Sequence, residues 1–207
     1  MDFVHPIAAV IPGAQGQVLA VLAQTSAELN LRTLARLADV SPAQVSRILP
    51  GLVELGLVER REVPPASQFR LVATHVAARL IVALAAVGDA AVIEMGVAAQ
   101  SLEIMPVSVI IFGSFARGEA RADSDLDVVF VRPDGVHEHD EQWGAAVEAW
   151  RRAVRSITGN RVEVLEVSER EVAQELEADR DLWRAIRRDG RVVFGLSVEQ
   201  LTRMHIA

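Results

Sequence analysis

The chain has 207 residues, 51% of them apolar, and a formal charge of −7 at pH 7, which suits one large or two small domains with true hydrophobic cores. With no Cys there are no disulfides and no thiolate metal sites, which fits a reducing compartment and makes the cytoplasm the expected location. All 21 basic residues are Arg, which excludes a lysine-dependent P-loop or Schiff-base chemistry.

At the start of the chain, Asp2 and Pro6 interrupt any apolar block, so no signal peptide is expected. Gln15–Ala23 carries Val18, Leu19 and Leu22 at helical spacing, and a second helix is predicted to open at Leu29-Asn30 with Leu31, Leu34 and Leu37 inward. Asp39-Val40-Ser41-Pro42 reads as a tight turn in which Ser41 caps the next helix and Pro42 takes its first position. That helix runs from Ala43 to Leu55 with Val45, Ile48, Leu49, Leu52 and Leu55 on its core side. After Gly56, a strand beginning at Leu57, a turn at Pro64–Ser67 and a returning strand Phe69–Val72 predict a hairpin wing.

The run from Leu34 to Arg47, followed by Glu54-Leu55-Gly56-Leu57-Val58, resembles the winged helix-turn-helix of small bacterial transcription regulators. The resemblance implies DNA as a partner, with the third helix in a major groove. Ser41, Gln44, Ser46 and Arg47 are the polar candidates on that helix, and Arg60, Arg61 and Arg70 are the wing candidates for phosphates. Residues 1–75 hold six Arg and six acids, so this part is electrically neutral and the rest of the chain carries the whole negative charge.

Two helices, 74–87 and 89–102, are predicted to meet at Gly88. Their weak charge predicts burial, either between domains or in a homodimer seam. The apolar window 80–97 is broken by Gly88, Asp89 and Glu94, short of the roughly 20 clean residues a membrane span needs.

Val107–Phe112 then reads as a strand, Gly113-Ser114 as a tight turn into a short helix, and Asp125–Val131 as a second strand. Alternate strand residues share a face, so Asp125 and Asp127 point together while Leu126 and Val128 point into the core. Paired carboxylates repel unless a cation lies between them, and such hard oxygen ligands suit Mg²⁺ together with substrate phosphates. Gly113 lets a phosphate approach the backbone, where the following helix presents unpaired N–H groups and its positive dipole.

The run Gly113-Ser114-Phe115-Ala116-Arg117-Gly118-Glu119, closing with Ser124-Asp125-Leu126-Asp127, resembles the signature of the DNA polymerase beta nucleotidyltransferase superfamily, and the short chain is similar to its minimal members. The resemblance implies two Mg²⁺ ions and a nucleoside triphosphate, ATP being expected, whose phosphates lie on Gly113 and Ser114. It further implies transfer of NMP to an acceptor hydroxyl with loss of pyrophosphate. Asp125 and Asp127 would be the catalytic, metal-binding carboxylates. Arg117 and Arg121 would neutralise phosphate charge.

Pro133-Asp134-Gly135 is a turn, and His137 and His139 lie in a polar loop read as solvated. Trp143, Val147, Trp150, Val154 and Ile157 make the core stripe of a helix over 141–157. In the next strand, 161–167, the superfamily's third carboxylate is usually Asp, and the matching position here is Glu163, one methylene longer, as metal ligand or general base. Two further helices, from Ser168 and from about Arg180, and a last strand Arg191–Gly195 close the chain. The acidic run 169–181 reads as a solvated helix face.

The expected fold is thus of the α/β (α+β) class: a winged helix-turn-helix over 1–75, a helical connector over 76–104, and a nucleotidyltransferase domain with a small mixed sheet over 105–207. Minimal nucleotidyltransferases include antitoxins that place AMP on a partner toxin, so protein AMPylation is the leading expectation. The chain has no Tyr, so a tyrosyl acceptor would lie on another protein. The alternative is a DNA-binding transcription regulator whose second domain senses nucleotide or mediates dimerisation without catalysis, a reading that Glu163 in place of Asp favours.

Overall fold

The computed structural model describes residues 1–178 and 180–204. The acidic run 169–181 is therefore described except at Asp179. The chain divides into two compact units, one from His5 to Val87, the other formed by Met1–Val4 together with the chain from Gly88 onward.

The first unit begins with a short helix not foreseen from sequence, α1 (Pro6–Val10), which buries Ile7. It continues with α2 (Ala14–Ala23), β1 (Leu29–Asn30), α3 (Leu31–Leu37), α4 (Pro42–Glu54), β2 (Val58–Val63), β3 (Ala66–Leu71) and α5 (Val76–Ala85). Leu29 and Asn30, expected inside a helix, instead pair with Phe69 and Gln68 as the edge of a three-stranded sheet ordered β1-β3-β2. Pairing with β3 holds the segment extended, and extended Asn30 then caps the helix, accepting from the Thr33 N–H at 2.9 Å so that α3 begins at Leu31. Ser41 and Gln44 form a reciprocal capping box at α4, with Pro42 in the first turn as predicted. Val18, Leu19, Leu22, Leu34, Val45, Leu49 and Leu52 make the core, closed by Phe69 of the wing and by Ala78 and Ile81 of α5.

In the second unit α6 (Val87–Gln100) precedes β4 (Ser108–Phe112), the single turn α7 (Gly113–Ala116), β5 (Leu126–Arg132), α8 (Glu141–Thr158) and β6 (Val162–Ser168). Then come α9 (Glu169–Glu177), α10 (Asp181–Asp189), β7 (Arg191–Gly195) and α11 (Val198–Arg203), the last not foreseen. The four-stranded sheet has the order β6-β5-β4-β7 and is mixed, since β5 and β6 are parallel and the other pairs antiparallel. One sheet face, with Leu126, Val128 and Phe130, packs on Met95 of α6 and on Trp143 and Trp150 of α8. The other, with Ile110, Val129 and Val131, packs on Val172 and Leu176 of α9, Trp183 and Ile186 of α10 and Leu201 of α11.

The two helices expected as a connector over 76–104 fall in different units. The break falls at Ala86 rather than Gly88, and each helix buries an apolar stripe in a different core: Ala78 and Ile81 in the first, Ala91, Met95 and Ala99 in the second. Gly96 shows how tightly α6 is seated, because a Cβ there would lie 2.5 Å from the Val193 carbonyl oxygen of β7. Backbone cannot yield as a side chain can, so Gly96→Val is expected to destabilise the fold by about 2–3 kcal/mol, read as a lower urea midpoint with an unchanged slope. No single helix among the described residues is long and apolar enough to cross a membrane.

Candidate active site

The site forms where the C-terminal end of β4 lies beside the N-terminal end of β5. Antiparallel pairing puts Phe112 opposite Asp127, so the Gly113 turn that ends β4 abuts the first carboxylate inside β5. Gly113 has φ +69°, and a Cβ there would stand 2.3 Å from Asp127 Oδ2. Only glycine leaves that carboxylate its place. The helix after the turn is a single four-residue turn, shorter than a helix that would carry a useful dipole, so what it offers is its first N–H groups, which have no intrahelical partner.

Parallel pairing of β5 with β6 sets Asp127 level with Glu163, and paired residues share a sheet face. Asp125 lies just ahead of β5, near enough for its charge to act on Asp127. Asp127 is held above the usual carboxylate value, chiefly because burial disfavours its charge, then by repulsion from Asp125 and Glu163, against a smaller opposing field from Arg117. Glu166, on the other face, accepts a hydrogen bond from the Trp143 indole and is a structural partner of α8.

Arg117 also pairs with Glu119 at 2.8 Å, while the Arg121 side chain is exposed with no ion pair among the described residues. Arg161 carries no assigned role in the sequence reading, yet its guanidinium lies 3.7 Å from Asp125 and 3.8 Å from Glu163. Only the β5–β6 register brings it there, and no local motif announces it. Asn160, beside it, is also missing from the sequence reading: it is 2% exposed and hydrogen-bonded to the loop that leads to Asp125. Among the described residues no three His, Asp or Glu side chains converge into a ready metal cage, at this site or around His137 and His139.

Two family models match the chain: a nucleotidyltransferase domain over residues 98–189 and an IclR helix-turn-helix domain over residues 16–62. This chain joins an IclR-type helix-turn-helix domain to a nucleotidyltransferase domain. A crystal structure of RV1404 from Mycobacterium tuberculosis is 27% identical, covering 41% of this chain and 58% of that one with a TM-score of 0.31, so this chain spans less than two thirds of that chain's length. No curated protein matches.

Within the IclR-type domain the candidate DNA contacts differ in their freedom. Ser41 and Gln44 are engaged with each other in the capping box. All three wing arginines are paired with acids: Arg60 with Glu62 at 2.6 Å, Arg61 with Glu28 at 3.4 Å and Arg70 with Glu59 at 2.6 Å. Ser46 and Arg47 are exposed on α4, and Arg47 has no ion pair among the described residues. A groove of about 980 Å³ between α4 and the wing, lined by Ser46, Pro50, Val53, Arg60 and Phe69, contains none of the nucleotidyltransferase carboxylates.

Arg47 is therefore the candidate that meets DNA without first giving up a carboxylate. Arg47→Ala is expected to weaken specific duplex binding by about 1–2 kcal/mol and to reduce the slope of log affinity against log salt by about one, measured by fluorescence anisotropy across a salt series.

Proposed function

We propose that the nucleotidyltransferase domain transfers NMP from a nucleoside triphosphate, ATP by preference, to an acceptor hydroxyl. The observation that carries this reading is the contact of the Gly113 turn with Asp127, because phosphates lying on the turn N–H groups would stand against the carboxylate pair. Asp125 and Asp127 would hold Mg²⁺, with Glu163 as a further ligand or as the base. This donor set fits a cation that takes one or two carboxylates and completes its shell with phosphates and water, so a protein-only cage is not required. The chemistry bound Mg²⁺ supplies at such a site is neutralisation of phosphate charge and polarisation of the phosphoryl oxygen.

The chain's own part is binding, orientation and proton handling. The N–H groups at Gly113 and Ser114 fix the phosphates, and Arg117, whose field already reaches Asp127, balances the charge that builds on the leaving group. The acceptor oxygen forms a bond to the α-phosphorus, the bond to the bridging oxygen breaks, and pyrophosphate leaves with that electron pair. The acceptor proton passes to Glu163 Oε, which is half exposed and so reachable by an incoming hydroxyl.

The acceptor favoured by the domain's small size is a hydroxyl on a partner protein, as in toxin-antitoxin pairs, and the IclR-type domain would let the same chain act at DNA, as a homodimer on paired half-sites. A second reading, a regulator in which this domain senses nucleotide without transfer, is favoured by one observation: Arg161 stands between Asp125 and Glu163, where a cation would otherwise be held. The test is incubation of the full chain with each labelled NTP and Mg²⁺, alone and with host lysate, beside the Asp125→Ala/Asp127→Ala double variant. Label on a macromolecule or small hydroxyl compound with the wild type alone supports transfer. Nucleotide-dependent DNA binding without any label supports sensing.

A further inference from the structure

Asp125 follows a loop, from Arg117 to Ser124, that has no regular secondary structure, and something must take up that loop's freedom if the carboxylates are to keep a common geometry. The first half of the loop is tied locally, through Glu119 N–H to Ser114 O at 2.8 Å, Gly118 N–H to Phe115 O at 3.0 Å and the Arg117–Glu119 pair at 2.8 Å. Its second half closes where Ser124 Oγ accepts from the Arg121 N–H at 2.9 Å and Arg121 O accepts from the Ser124 N–H at 3.1 Å, and further restraints on it come from far away in sequence.

Asn160, between α8 and β6, supplies the first. Its side-chain amide donates from Nδ2 to Arg121 O at 3.0 Å and to Ser124 O at 2.9 Å, and its Oδ1 accepts from the Met1 nitrogen at 2.7 Å. Its own N–H donates to Thr158 Oγ1 at 3.2 Å. Every polar atom of this buried amide is thus used, two of its bonds on the two residues that bracket the turn before Asp125. Immediately after the amide, Arg161 O accepts from the Leu126 N–H at 2.8 Å, which ties the residue following Asp125 to the same turn.

The first residues of the chain supply the second restraint. Met1 nitrogen also donates to Thr158 O at 2.8 Å, the Phe3 N–H donates to Ala120 O at 2.9 Å, and the Phe3 ring meets Phe115 edge-on at 4.8 Å. Phe115 belongs to the turn that follows Gly113, so the strap of residues 1–4 touches both halves of the site: the phosphate turn through Phe115 and the carboxylate loop through Ala120.

We propose that Asn160 is a positioning residue of the nucleotidyl-transfer site, clamping the Arg121–Ser124 turn so that Asp125 is presented beside Asp127, with the Met1–Val4 strap bracing the clamp. This inference rests on the reading of Asp125 and Asp127 as metal-binding carboxylates. Asn160→Ala leaves the Ser124 carbonyl without its Nδ2 donor and removes the amide's hold on the Arg121–Ser124 turn, whereas Phe3→Ala withdraws the strap's ring and leaves the amide network in place.

The experiment uses the full chain and two readouts besides activity: hydrogen exchange resolved over residues 119–127, and Mn²⁺ binding followed by the electron paramagnetic resonance of free Mn²⁺. Asn160→Ala is expected to speed exchange across 119–127 at least tenfold with the β4 and α8 core amides unchanged, and to weaken Mn²⁺ about five- to twentyfold. Phe3→Ala is expected to do the same on a smaller scale, about threefold, and carries the comparison if Asn160→Ala does not fold. Unchanged exchange over 119–127 in a folded variant overturns the clamp. Faster exchange there with wild-type Mn²⁺ affinity overturns the positioning role. A wild-type chain that binds Mn²⁺ no better than Asp125→Ala/Asp127→Ala overturns the metal reading itself and the positioning role with it, an outcome that the wild-type control separates from failure of the clamp alone.

Discussion

Asp127→Asn is expected to lower nucleotidyl transfer by at least about a hundredfold while making the free protein more stable. Under the proposed reaction, loss of activity follows from removing one of the two carboxylates that would hold the cation, and losses of this order are usual when one charge-stabilising group is removed. The gain in stability follows from the site's electrostatics. Burial, then Asp125, then Glu163 hold the Asp127 carboxyl above its ordinary value, so the folded chain binds that proton more tightly than the unfolded chain does. A carboxyl raised in this way favours folding below the unfolded carboxylate value of about 4, and the benefit is lost as pH rises through the shifted value. At neutral pH the ionised group is a net cost.

Asn has the same shape and no charge to desolvate. Its effect should be a rise in Tm on the order of one to three degrees near pH 7, kept small because Asp127 is partly open to solvent. The difference should shrink as pH falls toward the carboxylate range. Excess Mg²⁺ and nucleotide should reverse the order, because ligand that binds only the folded wild-type site stabilises it as the logarithm of one plus the ratio of free ligand to Kd. Differential scanning fluorimetry at several pH values, with and without ligand, checks all of this in one series. An Asp127→Asn protein less stable than wild type near pH 7 in the absence of ligand would contradict the electrostatic account.

The second large effect is expected at Gly113, where two costs are of different kinds. Placing Ala at φ +69° costs about 1–2 kcal/mol, which a chain of this size survives with a drop in Tm of a few degrees. The added Cβ also meets Asp127 Oδ2 at 2.3 Å, and since that oxygen ends a short side chain, the carboxylate moves and the backbone stays. A shift of about 1 Å at a reacting centre is worth roughly a hundredfold in rate, far more than the strain implies. Gly113→Ala is therefore expected to remain folded, to keep DNA binding through the separate IclR-type unit, and to lose about two orders of magnitude in transfer. Retention of transfer within threefold would show that the glycine serves the turn and not the carboxylate.

The local elements could be read from the chain because their causes are local. Ser41-Pro42 followed by Gln44 caps a helix wherever it sits, the Trp143–Val154 stripe buries one helix face, and alternation along β5 turns Asp127 away from the face of Leu126 and Val128, while Asp125, expected inside that strand, lies just ahead of it. Tertiary structure decided what depends on register and on packing between distant segments. Leu29-Asn30 became a strand because β3 lay beside it, and the helices on either side of Ala86 went to different cores because each found a different partner for its apolar face. Arg161 reaches the carboxylates through the β5–β6 pairing, and Asn160 with Met1–Val4 reaches the loop before Asp125 across more than thirty and more than one hundred residues respectively. A side chain's spacing to its neighbours is written in the sequence, but which carbonyl an amide will meet is settled only when the chain has folded back on itself.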